Sequence, residues 1–148
     1  MERVYHNIYR TARNAAGLTQ EKAAELIGVS DSSIKAYETG QRIPPNDVVL
    51  RMVEYYNQQP LAAQHLRQTN VLAQRFLPEL DQQDVLVAAV QLFNRMNQFQ
   101  QHRSMDRLLA ITEDSVIDDS ERAEYDAIMA EIQSLIKSGM ALTICGRE

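Results

Sequence analysis

Residues 20–39, QEKAAELIGVSDSSIKAYET, set out a row of short polar side chains followed by a basic one: Ser30, Asp31, Ser32, Ser33 and then Lys35. Hydroxyl, carboxylate and ammonium groups in such a row make hydrogen bonds rather than covalent intermediates. Two short helices joined by a tight turn can lay a row of this kind into a DNA groove. Three residues mark that arrangement. Ala24 is small, where two helices crossing steeply must bring their backbones together. Gly28 follows four residues later and tolerates the positive φ of the turn. Ile34, six residues on, gives the second helix an apolar anchor, with Tyr37 beside it. Ser30 suits the N-cap of that second helix and Gly40 its C-terminal stop. A plain helical hairpin with no ligand would use the same spacing.

Other chemistry finds little support. The acidic stretch EDSVIDDSERAE, residues 113–124, lacks the central glycine of a calcium loop and reads as a solvated turn. His6, His65 and His102 stand far apart, with no cysteine or carboxylate at metal spacing. Cys145 is the single cysteine, close to the last residue, where fixed nucleophile geometry is improbable. The five glycines form no phosphate-cradling loop. The expectation is a protein that is not an enzyme, with no catalytic residue, no metal and no cofactor.

The flanks sharpen the reading of the helical pair. From Ile8 to Tyr56 the string IYRTARNAAGLTQEKAAELIGVSDSSIKAYETGQRIPPNDVVLRMVEYY resembles the Xre/Cro-like family of helix-turn-helix domains, known from lambdoid phage repressors. Arg13 matches the first-helix arginine, and Gly17-Leu18-Thr19-Gln20 the step into helix two. Glu38 and Gly40 match the end of the recognition helix, and Arg42 with Pro44-Pro45 the basic residue and proline that follow. Ala23 stands where the family usually carries leucine, a smaller core contact. The resemblance covers about a third of the chain and implies a bundle of four or five helices, with the recognition helix within Ser30–Thr39.

Roles follow from that resemblance. Gln20, at the start of helix two, would meet a phosphate. Ser30 would cap the recognition helix and touch backbone. Asp31, Ser32 and Ser33 would lie on the turn that reaches base edges, with Asp31 accepting from cytosine or repelling phosphate. Lys35 would suit a phosphate or guanine, and Ala36 a thymine methyl. Thr39 and Arg42 would grip the adjacent DNA backbone. Arg13 and Glu38 would form a structural ion pair between helices one and three.

Charge bounds the strength of any such contact. Residues 1–60 carry seven basic and seven acidic side chains, net zero; residues 61–148 carry eight and thirteen, net −5. DNA affinity rests on cations that neutralise phosphates. A neutral reading domain therefore implies weak binding as a monomer, which two copies on one site would offset. The expected partner is double-stranded DNA, with a protein partner as the other reading. No apolar run approaches the ~18 residues of a membrane span, and MERVYHNIYR has no secretory core. With a single cysteine, these features point to the cytoplasm.

The expected architecture is all-α: a five-helix repressor-like bundle over residues 1–68, then a helical oligomerisation or interaction domain over residues 69–148. Helix one is expected over 4–16, with Val4, Ile8, Ala12 and Ala15 on one stripe and Tyr5 and Tyr9 beside it. Helix two should end near Ile27 and helix three near Thr39. Helix four should open at Asn46 or Asp47 with Val49, Met52, Val53 and Tyr56 inward. A fifth helix should cover 61–68. A long helix is expected from Asp81 or Asp84 to Ile111, its stripe Val85, Ala89, Leu92, Met96 and Phe99 spaced as heptads and widened by Leu86, Val90 and Phe93. A last helix should span 119–138, opened by an Asp118–Glu121 capping pair and closed by Gly139. Two such helices have a thin core between them, so a homodimer through residues 84–138 is expected, ahead of the helices folding back on the N-terminal bundle or docking another protein.

Overall fold

The computed structural model describes residues 7–146, all helix and connecting turns, with no strand among the described residues. Val4, Tyr5 and His6 lie outside that span. The described chain divides into two compact units, one running to Gln82 and the other starting at Gln83.

The first unit is a bundle of α1 (Ile8–Ala15), α2 (Gln20–Ile27), α3 (Asp31–Glu38), α4 (Asn46–Tyr56) and α5 (Leu61–Thr69), with a single turn, α6 (Ala73–Phe76), after it. Each of the first three helices has a side-chain cap. Asn7 accepts from the Arg10 amide, Thr19 from Lys22 and Ser30 from Ser33. These caps satisfy amides that a helix start leaves unpaired. Gly28 ends α2 at φ 76°, in the left-handed region where an L side chain is disfavoured. Gly40 turns the chain after α3 at the same angle.

The core of this unit gathers Tyr9, Ala12, Ala23, Ala24, Ile27, Ile34, Tyr37 and the inward face of α4. Val49, Met52, Val53 and Tyr56 are all buried, at the positions that helical spacing assigns them. On α1 Ala12 is buried and Ile8 half-buried, with Tyr9 buried beside them, as expected; Ala15 differs and faces outward, while Arg13 is buried. The helix is only eight residues long, so its buried face is set by the α3 and α4 contacts rather than by an apolar heptad. A polar relay closes the bundle. Buried His65 takes Tyr9 Oη at 2.7 Å on Nδ1 and Asn46 Oδ1 at 3.0 Å on Nε2, joining α1, α4 and α5.

Residues 70–82 pack with this unit. Arg67 donates to the carbonyls of Leu77 and Gln74, and Gln64 to that of Leu80 at 2.7 Å. These bonds fold the segment back along α5, and Leu80 is buried there.

The second unit holds α7 (Val85–Gln101), α8 (Ser104–Ile111) and α9 (Arg122–Cys145). The single long helix expected to run to Ile111 is broken. Arg103 sits at φ 52°, and α8 starts anew after it. Neither glycine nor proline marks the break. Polar contacts made by the redirected chain hold it: Ser104 Oγ donates to Glu131, His102 Nδ1 lies 2.6 Å from Glu131, and Arg107 Nε lies 2.6 Å from Glu124. The last helix is also longer than expected. Gly139 lies inside it, and the tail through Cys145 is helical. Ala141 is buried in the hairpin, so the tail gains more from packing than Gly139 costs in helix propensity. Asp118 and Glu121 do form the reciprocal capping pair: each backbone amide donates to the other's carboxylate, at 3.2 and 3.0 Å.

By length and composition alone α9 is long and apolar enough to cross a membrane, although Glu131, Gln133, Ser134 and Lys137 interrupt it so that it holds no continuous apolar run of that length. Its central Glu131 is nevertheless held by His102 and Ser104, and its face packs against α7.

Candidate nucleic-acid interface

The recognition helix α3 stands on one buried ion pair. Arg13 Nε lies 2.5 Å from Glu38 Oε1, and Arg13 Nη2 lies 2.9 Å from Glu38 Oε2. The Glu38 side chain is only 3% exposed. Arg13 also donates to the Leu18 carbonyl at 2.6 Å, which fixes the loop between α1 and α2. Two parallel charge-assisted bonds are the strong form of this contact. The bond to Glu38 holds the Arg13 pKa above its ordinary value, although burial opposes it. Nearby, burial pushes the Tyr56 hydroxyl up to about 12; the Glu38 charge adds to the shift and Arg13 opposes it.

Gln20 belongs to this network. Its side-chain nitrogen donates to Glu38 Oε2 at 2.9 Å. The carboxamide is thus turned inward, and at this position the outward donors are the backbone amides at the start of α2.

On the outer face, Asp31, Ser32 and Lys35 are exposed, while Ser33 and Ala36 are half-buried. Asp31 and Lys35 share a shallow recess of about 280 Å³ with Thr19, Gln20 and Glu21, so the starts of α2 and α3 open on the same side. Ser30 Oγ lies 3.0 Å from Ser32 Oγ and 2.9 Å from Ser33 Oγ. Arg42 reaches back nine positions to donate to Ser33 Oγ at 2.5 Å, and its guanidinium lies 5.0 Å from the centre of the Tyr37 ring. Ser30, Ser33 and Arg42 therefore form one cluster at the rim of the recognition helix. Thr39 is separate: its hydroxyl is folded onto the Lys35 carbonyl at 2.8 Å.

Sequence spacing alone missed the Arg42–Ser33 contact, since it depends on the reversal at Gly40. It also missed Asn7, a buried residue whose Nδ2 donates to the Tyr37 carbonyl at 2.9 Å and ties the start of α1 to α3. A helix-capping asparagine just ahead of the Ile8 stripe was the available signal.

In chemical terms the face offers hydroxyls, the Asp31 and Glu21 carboxylates, Lys35 on α3 and Arg42 just after it. It can donate to and accept from base edges and pair with phosphate. Among the described residues no three histidine, cysteine or acidic side chains are grouped to hold a metal ion.

Comparison with known proteins agrees with this geometry. Residues 10–66 match the family described as a helix-turn-helix domain. The chain is 35% identical over 48 residues to the HTH-type transcriptional regulator ImmR of Bacillus subtilis (strain 168). That match covers 32% of this chain and spans 38% of the relative's length. No solved structure matches. The five-helix bundle, its Arg13–Glu38 pair and these two matches identify residues 10–66 as an Xre-like helix-turn-helix segment.

Proposed function

We propose that this chain is a sequence-specific DNA-binding transcriptional regulator, acting in the cytoplasm as a dimer on an inverted-repeat operator. The observation that carries this reading is the exposed row Asp31, Ser32 and Lys35 on a recognition helix that the Arg13–Glu38–Gln20 network holds rigid. The matched relative's name, a transcriptional regulator, supports it. Asp31, Ser32, Ser33 and Ala36 face the bases, and Lys35 a phosphate or a guanine. Ser30, Thr39, Arg42 and the amide end of α2 at Gln20 meet the phosphates. The first unit binds DNA and the second associates, in a division of labour without catalysis. Two half-sites lie about one helical turn apart. Likeness to lambdoid repressors supports a phage or prophage origin.

A second reading has a specific observation behind it. Residues 1–60 are net neutral, and Asp31 sits on the reading turn. Both favour a protein-interaction module, antitoxin-like or an adaptor, whose helix-turn-helix does not hold DNA. Selection of genomic fragments on the purified protein, at low and physiological salt, separates the two. An enriched inverted repeat, with affinity falling steeply as salt rises, supports the regulator. No enrichment at either salt overturns it in favour of the protein partner.

A further inference from the structure

Helix α7 carries its larger apolar side chains on the wrong side for the hairpin it belongs to. Ala88 is fully buried and Leu92 and Phe99 are half-buried on the inward side, while Leu86 is 69% exposed, Phe93 63% and Met96 57%. At 3.6 residues per turn, Leu86, Val90, Phe93 and Asn97 lie roughly opposite Ala88, Leu92 and Phe99. A helix that is apolar on both faces has a partner on both. One face has α9, and α8 also touches the helix; on the other face Leu86, Val90, Phe93 and Gln100 are exposed and Asn97 is half-buried.

The pattern on that outer face names its partner. Leu86, Val90, Phe93, Asn97 and Gln100 are spaced four, three, four and three. This is a heptad seam, with β-branched Val90 and polar Asn97 at one core position and Leu86, Phe93 and Gln100 at the other. A β-branched residue and a single asparagine at the first position, with leucine at the second, favour two parallel strands in fixed register. Across its 17 residues α7 has one charged side chain, Arg95, which lines a groove with Ser134 of α9. The outer seam is therefore uncharged, and two identical copies can meet there without repulsion. On the seam itself Leu86, Val90 and Phe93 are 69%, 49% and 63% exposed, an apolar row with nothing of its own unit over it among the described residues.

We propose that Leu86, Val90, Phe93 and Asn97 of α7 form a parallel two-stranded seam with the same residues of a second copy of this chain, Asn97 facing Asn97. This deepens the dimer reading above and rests on it. A parallel seam sets both α7 N-termini, and hence both points where the first unit ends, at the same end of the assembly.

The test uses full-length protein without DNA, so that it stands apart from operator binding. Sedimentation equilibrium reads the mass of the native protein and of Phe93→Glu and Val90→Lys; circular dichroism checks that both variants keep their helix. A dimer whose dissociation constant rises ~100-fold or more in both variants supports the seam, since each leaves a charge unpaired in an apolar contact. A monomeric native protein overturns the seam and the dimer reading together. A dimer indifferent to both changes overturns the seam and leaves dimerisation through another face. Orientation is read in a Cys145→Ser background carrying Leu86→Cys. Rapid disulfide formation between copies supports parallel strands, and a dimer that does not cross-link overturns them.

Discussion

Glu38 and Arg13 meet across 25 positions of sequence through two bonds, and a third donor, Gln20, shares the same carboxylate. Removing the guanidinium would leave a nearly buried negative charge with one amide for company. Arg13→Ala is expected to lower stability by about 3 kcal/mol. Thermal or urea unfolding of the full chain measures it; an unchanged midpoint would contradict the role given to the pair. Gln20→Ala should cost less, about 1.5 kcal/mol, as the loss of one hydrogen bond to a charged group.

Two glycines should respond in opposite directions. Gly28 holds φ 76°, so Gly28→Ala is strained even though an added Cβ meets only an Arg51 nitrogen at 3.9 Å. A loss of about 1–2 kcal/mol is expected. Gly139 lies in mid-helix with open space around an added Cβ. Gly139→Ala should raise stability by roughly 0.5–1 kcal/mol, because it restricts the unfolded chain and restores helix propensity. Paired melting curves test both signs at once.

Stability should fall at both ends of the pH scale for two nameable reasons. Burial lowers the pKa of His65, so the folded protein binds fewer protons than the unfolded chain. That contribution is complete above the unfolded pKa of about 6.5 and is lost as pH falls through the folded value. A neutral ring with its proton on Nε2 satisfies both Tyr9 and Asn46. Tyr56 is the reverse case: its pKa rises to about 12, so its contribution is complete below pH ~10 and is lost as pH climbs through the folded value. His65→Gln should flatten the slope of melting temperature below neutrality, and Tyr56→Phe the alkaline one. Slopes that survive these changes would assign the effect to other groups.

On the reading face, Lys35→Ala should weaken DNA binding across all sequences and reduce the slope of log affinity against log salt by about 1 if the ammonium meets a phosphate. Asp31→Asn should strengthen binding by removing a repelled charge. Ser32→Ala should change the selected consensus while leaving the fold intact. Identical consensus sequences from the parent and Ser32→Ala would remove Ser32 from the set of base readers.

Much of the first unit was legible because its signals are local. Ser30, Gly28 and Gly40 act within one turn of themselves, and the four inward residues of α4 repeat at helical spacing. The second unit was harder because its decisive interactions are remote. Nothing near Arg103 announces a left-handed residue; Glu131, 28 positions on, binds the residues either side of it. Gly139 reads locally as a stop, yet Ala141 packs beyond it. The apolar stripe of α7 was assigned one face from spacing alone. Both sides are apolar, and only the position of α9 tells them apart. At the candidate interface the residue types were readable, but the inward turn of Gln20 and the reach of Arg42 depend on where the chain folds back.

Glu38 collects α1, α2 and α3 at a single carboxylate, and this bears on how the reading face moves. Opening α3 alone would expose a charge to an unfinished core, so its amides should exchange with solvent at the same free energy as those of α1 and α2, in one cooperative unit. A surface that opens only with its whole scaffold is ordered before it meets its target. Little side-chain or backbone freedom then remains to be lost on contact, which favours tight association from a small set of short side chains.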